Sequence, residues 1–570
     1  MQTRMSASRR LVPALAVLCL AVAPAVAHAA TFVDVQANDP QVEGDATSNA
    51  TATFPTNKQN EPSIAVDPTN SSLVLAGSND EQRQPACGAT PPRAPDPSTG
   101  LPDLSDCSFF PGVGTDGIYI SRDGGHTWAN HGLLDDQPSW QASPYVSDGD
   151  PVIVFGPKPD GHGGFSYANG ARAYYVGLGS YKPTYPSGYS PSKAPEVILV
   201  SSSDDGGQTW SAPVRATTKD NPNTFNDKNS AWADNNPHSP YFGNVYVGFT
   251  AFRSITFTGN GNEPVEVSRS TNGGASFSAP DQLSPAGNNG TGNGRQGSDI
   301  VTGPDGTVYV AFEQGSSQVV AISRDGGGSY SRPIAMGPVS DIADPIPGSN
   351  FRTDSFASIA ADQRAGKTTA YASWATRTAG GGRVVVVKST DRGRTWSAPA
   401  TVSGSEGYAF FNAMDVAPDG RVDIGYQAQT AIDPKTFGTG NATINSWYVH
   451  GDGSPGGYSA PQKVTSAGSD PAATAQNNLM RQFWGDYNTL VSTATGALFI
   501  YTDSRTGVGC LAVDAYQQPL AAAGTAEPEE RERRTAGKDA GTAAGTKPAP
   551  PTACPPQFGN SDAYVSVIAP

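Results

Sequence analysis

The chain has 570 residues and a formal net charge of −15. With 16% charged residues against 65 glycines and 48 prolines, it reads as an all-β protein with many turns. Its acidity excludes a nucleic-acid partner, which would need clustered Lys and Arg.

Arg4, Arg9 and Arg10 precede an apolar run from Leu11 to Val26 that ends in Ala27-His28-Ala29-Ala30. This is the pattern of a secretory signal over 1–30, too short for a membrane span with those flanks. Cleavage is expected near Ala30 or Thr31, giving an exported protein with no membrane segment. Losing those arginines takes the net charge from −15 to −18. About 540 residues remain as a single domain, 31–570, a length suited to a β-propeller of roughly six to eight blades. Nothing in the pattern calls for oligomerisation, and a monomer is expected.

A repeated hairpin pattern then runs through the chain. Pro62-Ser63-Ile64-Ala65-Val66-Asp67-Pro68 leads into Leu73-Val74-Leu75-Ala76, a short alternating run, a Pro/Asp turn and a second run. Counterparts begin near Asp150, Ser230, Ser298, Ser355, Asn412 and Tyr487, which makes seven. Each predicts the two inner strands of one blade. Gly117–Ile120 and Arg383–Lys388 are third strands, and Ser211–Val214 leads a fourth. In the seventh unit the third strand is Ala563–Ile568, and no fourth follows. Thr31–Val35 is expected to supply it, closing the ring and removing the exposed edges of an open arc. Seven blades are therefore expected, with six as the alternative.

Between the third and fourth strands lies an octapeptide. Ser121–Trp128 reads SRDGGHTW, Ser203–Trp210 SDDGGQTW, Ser270–Phe277 STNGGASF, Ser323–Tyr330 SRDGGGSY and Ser389–Trp396 STDRGRTW. A decayed copy lies at Gly451–Tyr458. The Asp or Asn is suited to accept from backbone N–H groups two residues on, Gly to supply positive φ, and the terminal aromatic to tuck beneath the turn. Such a unit is a structural clip; the ligand spacing of a calcium-binding EF-hand loop is absent.

Two insertions interrupt the pattern, 81–116 in the first blade and 515–553 in the last. The second is rich in Ala, Gly, Pro and mixed charge, which predicts disorder. Beyond the signal the cysteines are Cys87, Cys107, Cys510 and Cys554. An even count in an exported chain suggests two disulfides, with roughly three connectivities open. Each insertion is bracketed by one pair, so Cys87–Cys107 and Cys510–Cys554 are expected. Neither pair has zinc-site spacing, and no metal or cofactor is expected.

Polar residues gather where the innermost strands begin, the level at which a propeller presents its central funnel. They are Asn60-Glu61, Asp148-Gly149-Asp150, Asp227-Lys228, Asp299, Arg352 with Asp354, Asn412 with Asp415, and Trp484-Gly485-Asp486-Tyr487. Singly, Asp and Asn cap strand ends. As a ring they form a candidate ligand site, in which crowded carboxylates raise one another's pKa as glycosidase acid/base pairs require.

The octapeptides resemble the Asp boxes, or BNR repeats, of the sialidase superfamily. The resemblance covers most of the chain and implies a β-propeller with one box per blade. It is extended by Tyr487-Asn488-Thr489-Leu490, similar to the Tyr-Ser-x-Leu context of that family's nucleophile, so the resemblance implies that Tyr487 is the nucleophile. Asp486, Glu61 and Asp150 are the carboxylates available to it. The chain departs from the family at Gln59-Asn60-Glu61-Pro62, where Asn60 replaces the arginine that holds the sialate carboxylate. Arg352 and Arg505 are the remaining candidates to reach the funnel. Without an arginine clamp there is no physical basis for tight binding of an anionic sugar. The resemblance therefore implies a glycoside-hydrolase-like propeller acting on an extracellular glycan but not an efficient sialidase. The alternative is a non-catalytic propeller that binds a glycan or protein. Two carboxylates, or a Tyr–Glu pair, facing across a pocket would favour the enzyme.

Overall fold

A computed structural model describes residues 31–40, 59–81, 114–182, 196–218, 224–253, 263–285, 295–430, 438–474, 482–522, 554–555 and 557–570. It contains seven four-stranded antiparallel sheets. Their innermost strands are Gln59–Asp67, Tyr145–Pro159, Thr224–Ala233, Arg295–Thr302, Ser358–Ala361, Tyr408–Val416 and Thr489–Ser492. Each packs against the next and the last against the first, so the sheets are the blades of a closed seven-bladed β-propeller. The core lies between blades, where inward-facing residues of adjacent sheets interdigitate. Tyr175, from the second strand of blade 2, donates its hydroxyl to Gly117 O of blade 1 at 2.8 Å.

The ring closes as the sequence pattern predicts. Thr31–Gln36 pairs antiparallel with Asp562–Ala569, from Thr31 opposite Ala569 to Gln36 opposite Tyr564, and forms the outermost strand of blade 7. The seam continues into buried polar contacts. Asn38 donates to Gln59 at 3.0 Å and to Asp562 at 2.9 Å, and accepts from the Ala563 N–H at 2.9 Å. The N-terminal strand thus ties blade 7 to blade 1.

The octapeptides occupy the turns between third and fourth strands, with one correction to their expected bonding. The Asp carboxylate reaches four residues on, not two. Asp391 accepts from the Thr395 N–H at 3.0 Å and its hydroxyl at 2.6 Å. It is the Ser389 hydroxyl that accepts from Gly393 N–H, at 2.9 Å, and the Trp396 indole closes the clip on Gly393 O at 3.1 Å. Left-handed Gly393 (φ 74°) bends the chain back far enough for the longer reach. The bond from the Thr395 hydroxyl holds the Asp391 carboxyl down at about 2, from an ordinary 3.8. A depressed folded-state pKa contributes stability above pH 4 that is lost as pH falls toward 2. Asp391→Ala is expected to cost about 1 kcal/mol at pH 7, as removing an exposed capping side chain does. It should cost clearly less at pH 2, where much of the carboxyl is protonated, and nothing well below that; equal losses at pH 7 and pH 2 in denaturant unfolding would refute this origin.

Cys510 and Cys554 form the expected disulfide; Cys87 and Cys107 lie outside the described residues. The disorder expected from 515 onward is corrected at its start by a helix, Leu511–Ala522. Its first turn is held: Val513 is buried, and Asp514 accepts from the Thr439 N–H and hydroxyl at 2.7 and 2.6 Å. The stretch 523–553 lies outside the described residues. No helix among those described is long and apolar enough to cross a membrane.

Candidate functional site

The funnel residues of blades 1–4 and 6 stand not at the start of the innermost strands but within them, at a repeated bulge. Pairing with the second strand slips between Asn60 and Ser63, Gly149 and Val152, Asp227 and Ser230, Gln296 and Asp299, and Phe410 and Ala413. At each slip one residue has positive φ: Glu61 (52°), Asp150 (53°), Lys228 (53°), Gly297 (64°) and Phe411 (46°). Pro62 and Pro151 follow directly, which a bulge tolerates because the ladder N–H is not needed there. Left-handed backbone at non-glycine residues is costly and marks positions held for another purpose. Three of these residues are charged and buried.

They meet on blade 7. Gly485 (φ 85°) lies so close to Glu61 that a Cβ would sit 2.8 Å from Glu61 Cγ and 3.0 Å from its nitrogen. Only glycine fits, and it sets Asp486 and Tyr487 beside the blade 1 bulge. Asn79 joins the bulges of blades 1 and 2. Its amide donates to Asn60 and Glu61, both at 2.8 Å, while its oxygen accepts from the Asp150 N–H at 2.8 Å. Asn229 adds a bond to Asp150 O at 2.9 Å.

The Glu61 and Asp150 carboxyls are in hydrogen-bonding contact. Burial first, then the Glu61 charge, pushes Asp150 well above the usual carboxylate range. Burial and the surrounding carboxylates, Asp150 foremost, likewise keep the Tyr487 hydroxyl protonated. Several buried atoms here have no hydrogen-bond partner among the described residues: Asn60 Nδ2, Glu61 Oε1, Asp150 Oδ2, Asn229 Oδ1 and Tyr487 Oη. Unmet polar atoms at this density are uncommon in a folded interior.

Beside them Asp486 carries two cations. Arg352 approaches it with both prongs, at 2.7 and 2.6 Å, and the Lys228 ammonium binds the same carboxylate. Burial would raise the Asp486 pKa, but Arg352 and Lys228 together hold it well below its ordinary value. Lys228 also lies 4.0 Å from Asp227, and Arg352 stacks on Phe483 at 5.1 Å. Tyr487 and Lys228 form the inner end of a central channel of about 980 Å³. Its walls include Val152, Trp232, Val301 and Leu490, and its far mouth Asn235 and Arg364.

The other predicted residues serve elsewhere. Asp299 and Asp415 line the channel as blade-to-blade staples, accepting from Ile359 N–H and Ser492 N–H, each at 2.8 Å. Burial lifts them to about 6 and about 7. Asn412 bonds Ser373 of blade 5. Trp484 is core, with its indole on Gln427 at 2.7 Å. Arg505 is bound to Asp503 and Asp34 and stacked on Tyr564 at 4.0 Å, within the terminal seam rather than the charged cluster.

Asp354 joins an acidic cluster that the sequence did not suggest. Oxygens of Glu313, Asp341 and Asp354 lie within 4.8 Å of one another, the described residues best placed to hold a metal ion. Burial, then Asp354 and Asp341, push Glu313 up to about 9 from an ordinary 4.5. Because the unfolded chain ionises this group earlier, stability falls as pH rises from 4.5 toward 9. In the presence of a chelator, Glu313→Gln is expected to stabilise the protein at pH 8 by about 1–3 kcal/mol, with little change at pH 4. Urea unfolding at the two pH values checks this, and a less stable variant at pH 8 would refute it.

Asn79, Asn229, Glu313 and Asp341 were missed from sequence. The signal for Asn79 was present, since the polar run Ser78-Asn79-Asp80-Glu81 ends an apolar strand.

No family model matches the chain, and no curated protein matches it in sequence. Solved structures do. A Hadza microbial sialidase aligns at 13% identity over 65% of this chain and 63% of its own, with a TM-score of 0.36. A leech intramolecular trans-sialidase aligns at 13% identity over 69% and 67%, with a TM-score of 0.39. The Penicillium chrysogenum alpha-L-arabinanase aligns at 14% identity over 70% and 94%, with a TM-score of 0.42. The chain thus spans under two-thirds of the length of the first. At this identity the likeness is one of fold alone.

Proposed function

We propose that this chain is an exported glycoside-hydrolase-like propeller that acts on an extracellular glycan through Tyr487 and the Glu61–Asp150 pair. The observation that carries this reading is the convergence, beside the inner end of the central channel, of a buried tyrosine hydroxyl and an interacting carboxyl pair, in which Tyr487 Oη, Glu61 Oε1 and Asp150 Oδ2 have no partner among the described residues. A protonated tyrosine is a poor nucleophile alone and needs a base to take its proton as it attacks. The pair supplies both functions: its ionised member accepts the Tyr487 proton, and its protonated member donates to the leaving oxygen.

The two carboxyls touch. They therefore lack the spacing of roughly 5–5.5 Å or 6.5–9.5 Å that separates the carboxyls of two-carboxylate glycosidases, and the chemistry runs through the tyrosine. That same contact favours the second reading, a non-catalytic propeller whose polar end holds a ligand without breaking it.

The test is a screen of the mature protein on chromogenic neutral glycosides, neutral polysaccharides and a fluorogenic sialoside. Turnover of a neutral substrate with little on the sialoside is the expected result. Saturable glycan binding without turnover on any substrate would establish the second reading, and efficient sialoside hydrolysis would overturn the proposed selectivity.

A further inference from the structure

The ion triad of Asp486, Lys228 and Arg352 carries a consequence for selectivity that deepens the glycan-acting reading and rests on it. Arg352 offers Asp486 the paired, planar geometry with which a guanidinium holds a carboxylate. Lys228 adds its ammonium to the same oxygen that Arg352 Nη2 binds. Two cations converging on one carboxylate is the arrangement a protein would use to hold an acidic ligand. Here the carboxylate belongs to the chain itself.

Asp486 is held there by its surroundings. Its side chain is 4% exposed, and the backbone before it is fixed by Gly485 against Glu61. Of the two cations Arg352 is the accessible one: its side chain is 24% exposed, while Lys228 is buried at the inner end of the central channel. An acidic ligand arriving at this level meets cations already neutralised, with Asp227, Glu61 and Asp150 behind them. A hydroxyl or an ammonium does not have to displace Asp486 from either cation.

We infer that Asp486 is a specificity-determining residue: as an internal counter-ion to Arg352 and Lys228, it keeps anionic ligands out and restricts the site to uncharged or cationic ones. The residue touches the cations rather than the reacting atoms, so its effect is on which ligand binds.

Removing the internal carboxylate is expected to create an anion site. For Asp486→Ala, thermal unfolding is followed in sodium formate or acetate against sodium chloride at equal ionic strength. A variant that does not fold in chloride is followed by recovery of folded protein in the carboxylate salt. The expected result is a saturable rise in Tm of several degrees, or recovery of fold, with carboxylate only, and no such response in the wild type. In Asp486→Ala/Arg352→Gln the response should be lost. For Asp486→Asn, which keeps the shape and removes the charge, glucuronate is expected to bind at least tenfold more tightly than to wild type by calorimetric titration. Indifference of both single variants to carboxylate, or an equal response in wild type, overturns the inference. None of these readouts involves turnover. A protein that hydrolyses nothing can still show the anion response, and an active hydrolase can fail to show it.

Discussion

Tyr487→Phe is expected to lower turnover of a neutral glycoside by about 10²–10⁴-fold, the range lost when a positioned proton-transfer or nucleophilic group is removed. Stability should change little. The Tyr487 hydroxyl makes no hydrogen bond to the described residues, so its loss leaves none of them unsatisfied. Glycan affinity should also hold within a few-fold, because the ring that lines the channel remains. Asp150→Asn removes the carboxyl that burial and Glu61 favour in its protonated form, and is expected to flatten the alkaline limb of the pH–rate profile as well as lower the rate. Turnover unchanged in Tyr487→Phe would remove the tyrosine from the chemistry. Affinity and turnover falling together would instead mark a ligand-binding hydroxyl.

Removal of residues 31–38 is expected to have the largest effect on stability. It unpairs the whole of Asp562–Ala569 on one side and deletes Asn38, which bonds Gln59, Asp562 and the Ala563 N–H in a buried setting. It also takes Asp34 from Arg505. Each buried polar group left without a partner costs about 1–3 kcal/mol, so the total should reach about 4 kcal/mol or more. The bared strand is then an open sheet edge, the usual template for self-association. Lower denaturant midpoints and concentration-dependent dimers or aggregates by light scattering are expected. A truncated protein that stays monomeric with near-native stability would show that blade 7 is complete without its outer strand.

Much of this architecture was legible in the sequence because it repeats. The octapeptides at Ser121, Ser203, Ser270, Ser323 and Ser389 fixed the turn between third and fourth strands, and the hairpin pattern fixed the blade count. The missing partner of Ala563–Ile568 pointed to Thr31–Val35. These are local patterns with a local physical cause.

The site was legible only in part. Glu61, Asp150, Lys228, Asp486 and Tyr487 were named because polar residues stood at equivalent places. That they converge depends on a bulge the sequence does not announce, since Pro62 and Pro151 look like loop residues. Asn79 and Asn229 bind across blades, and Asn229 reaches back to blade 2 from blade 3. Arg352 and Arg505 were equal candidates by sequence. Only the fold separates them, because Arg505 is held by Asp34, which lies 471 positions away.

The repeated bulge has an evolutionary implication. It recurs with nearly the same φ whether the residue is acidic, as at Glu61 and Asp150, basic, as at Lys228, or aromatic, as at Phe411. The backbone shape is therefore set by the blade and not by the side chain it displays. A mutation at such a position changes the chemistry found at the bulge without having to invent the geometry that presents it. Gene duplication of blades would have copied the display position each time, leaving the displayed group free to drift. New specificities can then arise by swapping letters at a fixed set of addresses around the axis, while the scaffold that carries them stays the same.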